Sequence, residues 1–173
     1  MVSAILATGI CCFAAALFAQ AGWGKLTKPA AYVETVAAYT GRPATASWVV
    51  AIGVSELLLA LALLLPASRM WGVAAGGLLL SLYAVAMMRQ VLQGQVDLKC
   101  GCSGPAAETR VSVALVIRNL VVAGVLLLTS LIAATPVGIS GWSVGVAMAL
   151  LLGLCYAATD QLIANQQHMA GVR

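Results

Sequence analysis

The chain has 173 residues, of which 62% are apolar and 8% charged, with a formal net charge of +4. A soluble domain carries roughly 25% charged residues, so this composition excludes a fold that covers its surface in water, and the length allows one domain with few loops. The positive residues are scattered, with no basic stripe interleaved with aromatics, which argues against a nucleic-acid partner and for charges that set membrane orientation.

The apolar residues fall into runs near the ~20 residues that a bilayer requires. The first run, residues 2–22, contains an apolar stretch, 5–18, followed by an Ala19-Gln20-Ala21 triplet that resembles a signal-peptidase site. No Lys or Arg comes before it, so we read it as a first membrane span rather than a cleaved leader. Next, Trp23, Leu26, Ala30, Val33 and Ala37 recur at helical spacing around Lys25, Lys28 and Glu34. This pattern predicts a short amphipathic helix at the interface, starting near Pro29 and broken by Gly41-Arg42-Pro43.

Further spans are expected at 46–65, ended by Pro66; at 70–92; at 111–134, stopped by Pro136; and at 141–163. The predicted fold is therefore all-α, a single polytopic transmembrane bundle over 1–173 with four to five spans. Two Gly-x-x-x-Gly patterns, Gly72 with Gly76 and Gly141 with Gly145, offer close helix approach in lipid, although they arise easily in a chain this rich in small residues.

Residues 93–110 form the longest polar loop and contain the sharpest motif, Asp97-Leu98-Lys99-Cys100-Gly101-Cys102-Ser103-Gly104-Pro105. Two cysteines one residue apart close a disulfide only in a small strained ring, and strain suits an exchanging pair more than a staple. Lys99 favours the thiolate of Cys100, which makes Cys100 the attacking and Cys102 the resolving thiol. A zinc site normally takes four ligands at longer spacing, and the one histidine, His168, lies far away in sequence. Cys11 and Cys12 are adjacent in the first span and Cys155 lies in the fifth, where a thiol commonly serves as a small apolar residue.

Glu56 in the second span and Arg118-Asn119 in the fourth are costly in lipid and need a partner or a cavity. Counted from the side of the Cys-Gly-Cys loop at 1.5 Å per residue, Glu56 lies ~15 Å deep and Arg118 ~10 Å deep, so a Glu56–Arg118 pair facing the bundle interior is expected. Cys12 and Cys155 fall at ~12–15 Å on the same count. That places a thiol-containing layer beneath the loop, with Cys11 and Cys12 as a relay. Lys25, Lys28, Arg42, Arg89, Lys99, Arg110 and Arg173 share one side against Arg69 on the other, which predicts an external N-terminus and a cytoplasmic Cys-Gly-Cys loop.

Asp97, Cys100-Gly101-Cys102, Gly104, Arg118-Asn119, Gly24-Lys25-Leu26 and Glu56 together resemble the MauE/DoxX family of redox-associated membrane proteins, the MauE branch in particular, over about 2–134. Ser103 departs from the aromatic residue expected there, and the Cys11-Cys12 pair has no assigned counterpart. The resemblance implies a bundle in the bacterial inner membrane. It also implies thiol–disulfide exchange through Cys100 and Cys102 with a thioredoxin-like partner, serving maturation of the disulfide-rich beta subunit of methylamine dehydrogenase. Lys99, Asp97, Glu56, Arg118 and Asn119 then support the loop, a proton path or a quinone site, although no quinone motif is visible.

A periplasmic substrate and a cytoplasmic loop pull in opposite directions. Either electrons cross the bundle through Cys11 or Cys12, or the charge rule is overridden. A second function class competes. Cys11/Cys12 with Cys100/Cys102 also looks like a mercuric-type soft-metal transporter, since thiolates hold soft ions. A structural subunit without chemistry of its own is the third reading.

Overall fold

The computed structural model describes residues 2–94, 111–131 and 138–171, and those residues are helical or lie in short turns. The helices are α1 (Val2–Thr27), α2 (Val33–Thr40), α3 (Ala46–Leu64), α4 (Arg69–Leu92), α5 (Val113–Leu128) and α6 (Ile139–Gly171). Five of them, all but α2, are long and apolar enough to cross a membrane. Asp97, Lys99, Cys100 and Cys102 lie outside the described residues.

Local chemistry sets the breaks. Lys28 leaves helical geometry before Pro29, which opens a 3-10 turn, Pro29–Tyr32, leading into α2. Gly41 ends α2 at φ 67, a left-handed conformation that glycine adopts without a Cβ penalty, and its N–H bonds to the Ala37 carbonyl. Leu65 turns extended ahead of Pro66 and closes α3, as a residue before proline prefers. The amphipathic helix expected after the first span is thus formed by the 3-10 turn and α2.

α1 is the central helix. It packs on α3 and α6, while α4 packs on α5 and α3. Half of the most apolar window of α1 is buried, against 11% of the corresponding window of α6, so α6 lies at the periphery. The main core joins Cys11, Ala14, Ala15 and Phe18 of α1 to Ala60 and Leu63 of α3, Val73 and Leu80 of α4, and Ala123 and Leu126 of α5. Leu58, Leu61, Leu78, Leu82, Leu150 and Leu154 point outward and are exposed. An apolar exterior of this extent would aggregate in water and matches hydrocarbon instead. In lipid the helices gain little by hiding leucine from a solvent as apolar as leucine, so close packing at small residues holds them together.

Glycines make that packing close. A Cβ on Gly22 would stand 2.7 Å from the Gly53 carbonyl oxygen, and one on Gly53 would stand 3.0 Å from the Gly22 carbonyl oxygen. The α1 and α3 backbones therefore touch reciprocally at this level. Gly72 lies against the α3 backbone at Ala62 and Leu63, and Gly145 against Thr8 and Gly9 of α1, so both Gly-x-x-x-Gly patterns supply a real contact.

Candidate functional site

One turn beyond the Gly22–Gly53 contact, Lys25 and Glu56 meet inside the bundle. The Lys25 ammonium donates to both carboxylate oxygens of Glu56, each at 2.8 Å, and the Tyr83 hydroxyl of α4 donates to Oε1 at 2.6 Å. Glu56 is fully buried and Lys25 nearly so. The ammonium also lies 5.5 Å from the Tyr32 ring centre and 5.9 Å from that of Tyr83, within cation–π range. A lone carboxylate here would carry a heavy desolvation cost. Two ammonium hydrogens and a phenol offset that cost and hold α1, α3 and α4 at one point.

This corrects the expected Glu56–Arg118 pair. Both residues face the interior, but Arg118 pairs with Asp160 of α6 and stacks 4.4 Å from the Tyr156 ring centre. The reason lies in helix length. α1 runs to Thr27 rather than stopping at Gly22, so Lys25 belongs to the bundle rather than to a loop. α6 likewise runs to Gly171, which places Asp160 inside the helix rather than near its end. Tyr83 and Asp160 were missed by sequence reasoning. Asp160 carried a signal, since a carboxylate one turn after Tyr156 in an apolar run calls for a partner; Tyr83 carried none.

Two cavities flank Glu56 and Tyr83. The smaller, about 30 Å³, is lined by Glu56, Tyr83, Asn119 and Tyr156, among apolar residues of α1, α4 and α5. That is room for about one water. Asn119 is buried, and its Nδ2 has no hydrogen-bond partner among the described residues. Glu56 and Asn119 thus border one small cavity, although Glu56 and Arg118 do not pair. The larger cavity, about 260 Å³, lies between α2, α3 and α4 and is lined by Lys25, Tyr32, Tyr39, Ser55, Leu82 and Tyr83 among others. Gln90 pins α2 over it, donating to the Ala38 carbonyl at 2.6 Å.

The remaining cysteines are dispersed. Cys11 is buried beside Thr129 and Arg69, Cys12 is half-buried near Arg69, and Cys155 is exposed on α6. Arg69 bonds to the Thr8 hydroxyl at 3.3 Å and lies 5.8 Å from the Trp142 ring centre. Cys12 is about 22 Å from the Thr27 end of α1 and about 15 Å from the Val2 end. Cys11 and Cys12 therefore sit toward the Arg69 end of the bundle. The Phe13–Tyr156 edge contact, with ring centres 5.9 Å apart, places Cys155 near the level of Cys12 as the depth count expects, but Cys155 is exposed on α6 whereas Cys11 is buried in the core. Among the described residues, no group of three His, Cys, Asp or Glu side chains could hold a metal ion.

What this arrangement can do chemically is hold charge and a proton-bearing network inside an apolar bundle. A relayed proton needs donors and acceptors in sequence, and Lys25, Glu56, Tyr83, the water-sized cavity and Asn119 supply them. Comparison with known proteins gives this interior a family context. Residues 3–135 match the family model described as methylamine utilisation protein MauE. The chain is 31% identical over 159 residues to the methylamine utilization protein MauE of Methylophilus methylotrophus, covering 87% of this chain and 82% of that one. It is 32% identical over 154 residues to the MauE of Paracoccus versutus, covering 87% and 83%. No solved structure matches the chain significantly. With nearly all of α1 to α5, the larger cavity and the Cys-Gly-Cys motif inside the matched residues, the chain belongs to the MauE family of multi-pass membrane proteins.

Proposed function

We propose that this protein is a thiol–disulfide redox component of the bacterial inner membrane, in which Cys100 and Cys102 cycle between dithiol and disulfide with a thioredoxin-like partner. The observation that carries the reading is the Cys100-Gly101-Cys102 motif, placed in the polar segment between α4 and α5 and inside the residues that match the MauE model. The names of the relatives point to methylamine utilisation as the context; the family resemblance of the sequence implies the disulfide-rich beta subunit of methylamine dehydrogenase as the protein whose maturation is served. Chemical logic supports the pairing. A disulfide across one intervening residue is strained and readily exchanged, Lys99 favours the attacking thiolate of Cys100, and Gly101 and Gly104 permit the tight turn that brings Cys102 in as resolving thiol. The Lys25–Glu56–Tyr83 network supports the role as a run of hydrogen-bonded donors and an acceptor carboxylate along which a proton can be relayed.

Alkylation of the purified protein across a series of redox buffers tests this. We expect one two-electron transition at Cys100 and Cys102, with a midpoint above the roughly −300 mV typical of structural disulfides. A Cys102→Ser variant should accumulate a mixed disulfide through Cys100 that mass spectrometry can identify. The absence of any transition at these residues, or a midpoint as reducing as a staple, refutes the pairing; faster alkylation of Cys102 reverses only the roles.

A further inference from the structure

The cavity between α2, α3 and α4 is unlike a packing defect. It holds about 260 Å³, just below the range of ordinary small-molecule sites, which suits one ring better than a two-chain lipid. Three aromatic side chains, Tyr32, Tyr39 and Tyr83, line it and offer flat faces. Among the described residues its one charged lining side chain is Lys25, and that charge is matched by the Glu56 carboxylate at 2.8 Å. A site neutralised in this way has little to attract an anionic headgroup and nothing to attract a cation. The ammonium carries three hydrogens and the carboxylate takes two, which leaves one for a neutral acceptor in the cavity. Ser55 and Leu82 are exposed on the outer faces of α3 and α4, and Leu79 beside them is half-buried, so the cavity opens toward hydrocarbon.

A neutral flat ring, a carbonyl acceptor and an apolar tail are the features this cavity selects. We propose that the cavity bordered by Lys25, Tyr32, Tyr39 and Tyr83 binds the headgroup of a lipid-soluble quinone, with the tail leaving past Leu79 and Leu82 into the bilayer. Lys25 donates to one ring carbonyl, and the tyrosine rings enclose the quinone plane. Binding itself requires no thiol. The quinone's role as electron acceptor rests on the thiol–disulfide reading above: two thiols and one quinone give one disulfide and one hydroquinone, and the two thiol protons end on the quinone oxygens. Tyr83 borders both cavities and Glu56 the inner one, so the network beside the quinone is also the one able to carry those protons.

The test uses full-length protein in detergent and a photoreactive azidoquinone with a short alkyl tail, followed by peptide mapping. We expect saturable labelling within 32–40 or 79–86, reduced about tenfold by excess decylubiquinone. Filling the cavity with Ala86→Trp, or independently with Leu79→Trp, should abolish labelling, and Cys100→Ser should leave it unchanged while ending quinone reduction by the dithiol. Retained labelling in Cys100→Ser together with unchanged quinone reduction would count against the thiol reading and not against the site. Labelling that maps elsewhere, does not saturate, or survives both cavity-filling variants overturns the proposal. So does a copurifying phospholipid that Ala86→Trp expels and decylubiquinone does not displace. If neither tryptophan variant folds, the map on the unsubstituted protein decides alone.

Discussion

Lys25 and Glu56 show how a buried charge is kept in a bilayer. Each is costly alone, and together they form a neutral unit in which the carboxylate accepts from the ammonium through both oxygens. Replacing one partner leaves the other uncompensated, so Lys25→Met or Glu56→Gln should each destabilise the bundle by about 3–5 kcal/mol. The Lys25→Met/Glu56→Gln double variant should lose less than the larger single loss, and thermal unfolding of the four proteins in detergent measures the difference. A double variant as damaged as the sum of the singles would show that the two residues do not act as a pair. The need for a partner was legible in the sequence at Glu56 and Arg118, because ionisable residues stand out in apolar runs. The partners' identities were not. Lys25 lies three residues beyond the point where hydropathy falls, and chain order alone does not bring Tyr83 next to Glu56 across two helices.

Among elements, α1 and α3 are held at a spacing fixed by reciprocal backbone contact. A methyl on Gly22 would meet the Gly53 carbonyl oxygen at 2.7 Å, and neither backbone can yield without moving its helix. A methyl on Gly9 would meet the far end of the Met148 side chain, which can swing away, and the Gly145 carbonyl oxygen only at 3.1 Å, which asks for a smaller shift. Gly22→Ala should therefore cost about 1–3 kcal/mol, while Gly9→Ala should cost less, because the backbone has less far to give and alanine also favours the helix. Unfolding curves of the two variants decide this, and equal losses would refute it. α6 is held differently, by the Arg118–Asp160 pair, the Phe13–Tyr156 edge contact at 5.9 Å and the Gly145 approach. Asp160→Asn should loosen α6 selectively, which hydrogen exchange would register as faster exchange in 150–171 than in α1 or α3. The spans themselves were legible because their hydrophobic runs are blocked and ended by Pro66 and polar stretches. Their ends were less so: α1 and α6 continue past the loss of hydropathy, since a helix can carry polar residues wherever a neighbour covers them.

For the whole molecule, the burial of Lys25 changes the count of charges that orient it. A lysine neutralised inside the bundle no longer marks a loop, yet Lys28, Arg42, Arg89, Lys99, Arg110 and Arg173 still face Arg69 alone. We therefore expect Cys100 and Cys102 on the cytoplasmic side. A membrane-impermeant maleimide should leave them unlabelled in intact spheroplasts and label them after lysis; labelling from outside reverses the topology. The neutrality of the Lys25–Glu56 unit has an electrical consequence as well. A single charge moved across a membrane gains about 2.3 kcal/mol per 100 mV. Opposite charges 2.8 Å apart span about a tenth of a ~30 Å core, so the same voltage acts on the pair with at most about 0.2 kcal/mol. The Lys25–Glu56 unit thus bears no net gating charge: a membrane potential acts across it without pulling α1 and α3 apart.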